Sequence, residues 1–483
     1  MARISVVGAG PNGLTAAAVL AVAGHEVTVF EAAEEIGGAT RSADLTGGGG
    51  ISDIGSAVHP IGAQSPVFKA LELERYGLEW AHPEIPLAHP LDGRPAALMH
   101  ADLATTAAEL DVDERAWKAL YGPLVPETQT MLESLLSPLL PLPKHLMRSL
   151  GFLGLSGLPA AALQASALRG EDARALFAGI ALHSALPLER LISSGFGIVL
   201  GAIGQRHGWP FARGGSQAIA RALGRLIEEH GGTIRTGHRI TDLREVTVGG
   251  ERPDVTMLSL TPAQLLRLEG FDVPEGYRRR LARFRYGPGV VRVEFELSEP
   301  VPWSDPRLAG AGTLHLCGTA AECAAAERAA HSGGIPERPF VLAAQQDAAD
   351  ASRRPSSGGR LLWTYARLST ASGLGPEVET AFAGAIEDQV ERFAPGFRDT
   401  VVARHVMGPA ALEAFDANLV GGDIIGGAMG LRQQLFRPVA SLDPYRTPMP
   451  GVFLCSSSVP PGGAVHGMPG LHGAASAMRW LEG

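Results

Sequence analysis

At 483 residues the chain is long enough for roughly three units of about 150 residues, or fewer around a shared core. Its 61 Gly and 35 Pro together make about 20% of the residues, below the roughly 25–30% of low-complexity chains, which excludes a disordered or fibrous protein. The 41 Lys and Arg against 50 Asp and Glu leave a formal charge of −9, and this speaks against nucleic acid as a partner, because that affinity rests on basic clusters.

The first element is a β-branched run, Ile4 to Gly8, and an Ala-rich stretch from Leu14 to Ala23 then predicts a helix. The turn between them carries Gly8, Gly10 and Gly13 as G-x-G-x-x-G, with Pro11 and Asn12 inside it. The first glycine allows the bend, the second lets backbone approach a pyrophosphate, and the third lets helix lie on strand. The helix N-terminus then offers free N–H groups and partial positive charge to the phosphates. A second strand, Glu26 to Phe30, leads to Glu31, placed to accept hydrogen bonds from ribose hydroxyls. Leu14 to Gly24 has the length of a signal h-region, but it sits inside this fingerprint and only Arg3 precedes it, so no targeting peptide is expected. Next comes Ile36-Gly-Gly-Ala-Thr-Arg41, in which Gly37 and Gly38 permit close backbone approach and Arg41 offers a fork of donors to a phosphate.

Glu31 followed by Gly37-Gly38 and Arg41 resembles the start of the FAD-dependent oxidoreductases of the phytoene desaturase and amine oxidase superfamily. The segment Asp53-Ile-Gly-Ser-Ala-Val-His-Pro60 resembles more narrowly the phytoene dehydrogenase-like branch. The resemblance implies FAD as cofactor and an α/β fold: a discontinuous Rossmann-like FAD-binding domain joined to an α+β substrate domain with a mixed or antiparallel sheet and a helical cap. His59, before a proline, reads as framework and not as an acid or base.

Residues 84–103 are strand- and turn-rich, and 104–208 alternate helical apolar patches with Pro and Gly breaks, as in Leu135 to Pro143, predicting a cap over a substrate cavity. Ser149 to Leu168 is uncharged over nearly the length of a membrane span, but Gly151, Gly154, Gly157 and Pro159 interrupt it, so no span is expected. Leu-rich patches beside Lys144, His145 and Arg148 suit weak contact of residues 131–168 with a membrane surface. At Trp209 to Ser216 the chain turns through glycines into an amphipathic run, Ile219 to His230. Gly231-Gly232 and a strand, Thr233 to Thr236, follow. In the family this resembles, Ile240 matches a residue that packs near adenine and bonds through its main chain.

Tyr286 to Leu297 alternates charge with apolar residues and reads as a half-buried strand of an antiparallel sheet. Arg353 to Gly359 reads as a surface loop. Cys317, Cys323 and Cys455 are too few for a disulfide framework or a four-ligand zinc site, which points to a reducing compartment; no metal is expected. With no C-x-x-C pair and no second G-x-G-x-x-G, a separate NAD(P)H domain of the disulfide-reductase type is not expected.

Gly451 to Ser458 reads as a buried strand entering a small-residue turn, and Pro460 to Pro469 opens a helix that runs to Trp480, with Pro469 in its first turn. The segment resembles the terminal flavin-contacting signature of phytoene desaturase-like enzymes. That resemblance implies Ser456, Val465, Gly467 and Met468 as cofactor contacts, with the helix N-terminus aimed at the flavin N1 and C2 carbonyl. Ser456-Ser457-Ser458 stands where the family often has G-A-G.

The resemblance implies an FAD-dependent dehydrogenase or desaturase taking a hydride from an apolar, isoprenoid- or carotenoid-like substrate, with no catalytic side chain assigned. An amine oxidase is the alternative; its lysine near the flavin on a mid-chain strand has no counterpart, because Lys69, Lys118 and Lys144 all fall early in the chain. A flavin-free lipid-binding protein of the same fold is a third reading, opposed by the intact fingerprint. The implied domains are 1–83, 209–260 and 425–483 for FAD, and 84–208 with 261–424 for substrate. A cytoplasmic protein is expected, with peripheral membrane contact at most.

Overall fold

The computed structural model describes residues 1–138, 146–369 and 375–483. Lys144, His145 and most of Leu135 to Pro143 lie outside the described residues. Five short strands form a parallel sheet in the spatial order Val452–Leu454, Val255–Leu258, Arg3–Val7, Glu26–Phe30 and Thr233–Arg235. Ile4 stands opposite both Val255 and Val27, and these strands are richest in Val, Ile, Leu and Phe because helices cover both faces of a parallel sheet. The first helix, Pro11–Val22, starts earlier than the sequence suggested, since Pro fits the opening turn of a helix, where its missing N–H would have no partner. Gln217–Glu229 and the closing helix Met468–Leu481 pack beside it.

The second sheet has seven strands in the order Val401–Met407, Gly289–Leu297, Arg360–Leu368, Val341–Ala344, Ala311–Leu316, Ile85–Leu91 and Arg94–Met99. Its neighbours are antiparallel except Ala311–Leu316 beside Ile85–Leu91, so it is mixed, as expected. One face packs on the long helix Pro376–Phe393 through Val291, Val293, Phe295, Phe382, Ile386 and Val390. Above the other face lie the cap helices, of which Glu171–Ala181 and Ser194–His207 are almost entirely buried. Among the described residues no helix is long and apolar enough to cross a membrane.

Two sequence expectations fail here, for one reason. Gly289–Leu297 is buried over its whole length, not half-buried. Arg353, expected on a surface loop, is 1% exposed. The charged face of the strand meets the segment after Arg41 instead of water: Arg292 Nη2 donates to the Asp53 carbonyl at 2.6 Å and to Glu294 Oε2 at 2.5 Å. The Thr46 hydroxyl donates to Glu296 Oε2 at 2.6 Å. Arg353 Nη1 donates to Asp53 Oδ2 at 2.7 Å and its Nη2 to the Ala212 carbonyl at 2.7 Å. An alternating pattern reports a polar face, and a buried face lined with paired charges has the same pattern as a wet one.

Candidate functional site: a dinucleotide cleft opening on an apolar cavity

The strand–turn–helix at the N-terminus builds the first half of the site. A Cβ at Gly13 would fall inside the carbonyl oxygen of Gly8, so only glycine lets the helix start this close to the strand. Gly8, Gly10, Glu31, Gly38, Arg41 and Ile240 line a cleft of about 490 Å³ above that turn. Pro11, Asn12 and Gly13 are the first residues of the helix that follows Gly10 and do not themselves line the cleft, and Gly37 caps the short turn Gly38–Thr40 beside it. Glu31 is fixed at one end: its Oε2 accepts the Ala9 N–H at 2.7 Å and its Oε1 the Ala33 N–H at 2.9 Å.

The far wall of this cleft is a segment sequence reasoning missed. Phe415, Asp416 and Asn418 line it; Asn418 Oδ1 accepts the Thr261 N–H at 2.9 Å and its Nδ2 donates to the Ser259 carbonyl at 3.2 Å. Arg41 donates from Nε to the Gly38 carbonyl at 3.1 Å and from Nη2 to the Phe415 carbonyl at 2.5 Å, and its guanidinium lies 3.8 Å over the Phe415 ring. It therefore clasps the wall as well as lining the cleft. Burial raises the Asp416 carboxyl above the usual carboxylate range; the charge of Glu31 adds to this and Arg41 opposes it. No local motif marks these residues, which lie more than 150 positions from the strand they lean on.

The C-terminal half of the site begins where Val452–Leu454 ends. Ser456 is buried in the turn that follows, its hydroxyl accepting the Ser458 N–H at 3.3 Å, and it lines neither cleft nor cavity. Ala464 and Val465 both have positive φ, 103° and 48°, a conformation that costs a β-branched residue energy and clusters at functional turns. Gly467 follows with φ of 70° as the residue before Met468–Leu481; a Cβ there would stand 2.5 Å from Thr15 Oγ1. The closing helix thus starts against the first turns of Pro11–Val22, and the positive ends of both helices lie side by side.

Gly463, Ala464 and His466 face away from the cleft into an interior cavity of about 260 Å³. Its other walls come from the cap and the second sheet: Val58, Ile61, Phe196, Leu200, Trp209 and Tyr365 among them. The one full charge in the lining is Arg367, which donates to both oxygens of Glu327 at 3.0–3.1 Å and to the Leu182 carbonyl at 2.8 Å. Two imidazoles face the space. Burial pushes His183 down to about 3, with Arg367 contributing, and pushes His466 down to about 4. Both are neutral at physiological pH. His183 also hydrogen-bonds His315 through their Nε2 atoms at 2.9 Å. Trp363, Tyr365 and Arg367 alternate along one strand, so period-2 reading of Arg360–Leu368 was the available signal for this wall. His59 lines neither space; it is buried, bonded to the Ser216 hydroxyl at 2.8 Å and pushed down to about 4 by burial, which fits a framework role.

These features fit FAD. The glycine turn leaves room that a Cβ would close, Glu31 stands where ribose hydroxyls are expected, and Asn12 Oδ1 is buried at the helix start with no hydrogen-bond partner among the described residues. Gly8, Gly10, Glu31, Gly38, Arg41 and Ile240 would hold the nucleotide half, and the turn Gly463–Gly467 the half nearest the cavity. Glu31→Ala is expected to weaken FAD retention, since charge-assisted hydrogen bonds contribute roughly 1.5–3 kcal/mol each. The ratio of flavin to protein absorbance after dialysis, compared with Glu31→Gln, measures the loss.

Comparison with known proteins agrees with this geometry. A curated relative from Rattus norvegicus, pyridine nucleotide-disulfide oxidoreductase domain-containing protein 2, is 25% identical over 99% of this chain and 93% of its own length. Despite the wording of that name, Cys317 and Cys323 are free, buried thiols here. An oxidoreductase from Methanosarcina mazei superposes with a TM-score of 0.63 at 16% identity, covering 99% of both chains. Cyclohexylamine oxidase from Brevibacterium oxydans does so with a TM-score of 0.57 at 16% identity, covering 100% of this chain and 99% of its own. These two likenesses are likenesses of fold. The model of the flavin containing amine oxidoreductases matches residues 12–265, from the start of the first helix through the cap and past the strand Val255–Leu258, and on that match the chain belongs to this flavoprotein family.

Proposed function

We propose that the protein is a phytoene dehydrogenase-like member of its family, oxidising an apolar, isoprenoid- or carotenoid-like substrate held in the interior cavity. The observation that carries this reading is the lining: mostly aliphatic and aromatic side chains, with Ser56, Gln434 and two neutral imidazoles among them and with Arg367 neutralised by Glu327. Such a wall excludes water and favours a ligand with little charge of its own. FAD, when bound, supplies the hydride acceptor. The protein's part is to orient the ligand between Trp209, Tyr365 and the turn Gly463–His466, while neutral His183 and His466 provide nitrogen atoms able to accept or donate a hydrogen bond. The division into a nucleotide unit (1–83, 209–260, 425–483) and a substrate unit (84–208, 261–424) belongs to the same proposal, as does a reducing, cytoplasmic setting supported by three free cysteines.

Oxidation of an amine is the second reading. The family match favours it, and the faces of Trp209 and Tyr365 attract cations; Arg367 in the same wall opposes it. Anaerobic titration of the holoprotein decides between them. Bleaching of the visible flavin absorption by an isoprenoid polyene in detergent, and not by primary amines, is the expected result. Bleaching by amines alone gives the second reading.

A further inference from the structure

The face that carries the mouth of the cavity has the opposite charge to the molecule as a whole. Residues 276–285 contain five arginines and no acid, and residues 424–442 add Arg432 and Arg437, again without an acid, in a chain of formal charge −9. Arg279, Arg280, Arg283, Arg285 and Arg432 are exposed. Among the described residues none of these five forms an ion pair, and four of them, Arg280, Arg283, Arg285 and Arg432, line one groove. The two segments form one surface because Gln433 ties them: its Oε1 accepts the Arg285 N–H at 3.0 Å and its Nε2 donates to the Arg285 carbonyl at 2.8 Å.

Apolar side chains stand among these cations. Leu431 is 42%, Leu435 40%, Phe436 53% and Leu442 86% exposed, and Phe436 is the one Phe, Tyr or Trp among the described residues that is classed as exposed. A groove of about 1110 Å³ runs between Arg280, Arg283, Arg285 and Arg432 with no Asp or Glu in its lining. It shares Arg285 and Leu431 with an adjoining opening of about 640 Å³, which in turn shares Ile425 and Met429 with the interior cavity. Groove, opening and cavity are therefore neighbours in sequence from surface to interior.

We propose that this face docks on an anionic lipid membrane, the arginines against headgroup phosphates and Leu431, Leu435 and Phe436 in the acyl boundary. Guanidinium forks suit phosphate oxygens, and basic residues beside exposed apolar ones are what interfacial binding combines. A nucleic acid or acidic peptide answers the arginines but leaves the aliphatic side chains in water; a lipid surface takes both. Contact is peripheral, and it brings the opening to the bilayer, from which an apolar ligand passes inward. The surface is built from other residues than 131–168, where the sequence suggested membrane contact, although Leu135 and Leu136 line the cavity together with Met429 and Gln434. The inference does not depend on which reaction the cavity hosts.

Flotation of the FAD-loaded protein with phosphatidylcholine vesicles, with and without phosphatidylglycerol, at low and high salt, is the test. Wild type is expected to float with the anionic vesicles only and to be released by salt. Arg283→Ala/Arg432→Ala, which keeps its flavin content and so its fold, is expected to partition roughly thirty-fold more weakly, at about five-fold per arginine. Phe436→Ser is expected to float less well even at low salt. Failure of wild type to float with anionic vesicles at low salt overturns the proposal, and so does equal flotation of the double variant. Binding to soluble heparin without flotation, or an arginine-dependent dimer in light scattering without flotation, overturns it in favour of a polyanion or a second copy.

Discussion

Asp53→Asn is expected to lose roughly 3–5 kcal/mol of folding stability, the cost of removing one partner from a buried ion pair. Asp53 is fully buried and ties the seven-stranded sheet to the start of Gln217–Glu229. Its Oδ2 accepts from Arg353, and its Oδ1 accepts the Ser216 N–H at 2.6 Å and the Ser42 hydroxyl at 2.7 Å. Its carbonyl accepts from Arg292 and from Trp363 Nε1 at 2.8 Å. Asparagine retains the shape but leaves the Arg353 guanidinium buried, with Asp350 at 3.5 Å as its remaining counter-charge. Burial alone would raise the Asp53 carboxyl, but the charge of Arg353 and the hydrogen bonds from Ser216 and Ser42 outweigh it and hold the group below the usual range. A depressed carboxyl contributes stability that is present above its unfolded value and lost as pH falls through the folded one. Urea melts at neutral pH measure the loss directly. A series below about pH 4 should show wild type losing this contribution while the variant, having no carboxyl there, does not.

Gly13→Ala is expected to abolish FAD retention and to destabilise the protein by about 1–3 kcal/mol, the usual range for overpacking. The added methyl group meets the Gly8 carbonyl oxygen, which is backbone and cannot rotate away, so the first helix must lift off the strand. Lifting it also separates its N-terminus from that of Met468–Leu481, whose start rests on Thr15. Colourless protein with a lowered melting temperature is the expected outcome. Yellow protein with an unchanged melting temperature would show that the turn relaxes without disturbing the cleft.

The nucleotide half of the site was readable because its chemistry is local. Gly8, Gly10, Gly13, Glu31 and Gly37-Gly38 lie within 31 residues, and each answers to backbone geometry or to a phosphate or ribose contact that neighbours in sequence can satisfy. The same holds for Gly467 before its helix, a break that one φ angle requires. Asp53 was visible as part of a motif without a visible role, because its partners Arg292, Arg353 and Trp363 lie some 240–310 positions away.

Local spacing was enough to mark a nucleotide-binding strand–turn–helix, and the motifs it formed carried the resemblance that implied FAD, a mixed second sheet and a helical cap, since strand and helix periods and the glycine fingerprint are properties of short windows. Which polar faces are dry, which walls close the cleft and where the cavity opens depend on residues brought together from distant segments. Arg292 and Arg353 look like surface arginines until their carboxylates arrive from elsewhere in the fold. Arg280, Arg283, Arg285 and Arg432 look like ordinary charged positions until folding gathers them, without ion pairs among the described residues, along one groove with Phe436. Charge in a window is counted without its neighbours, whereas the free energy of a charge is set by what surrounds it in space.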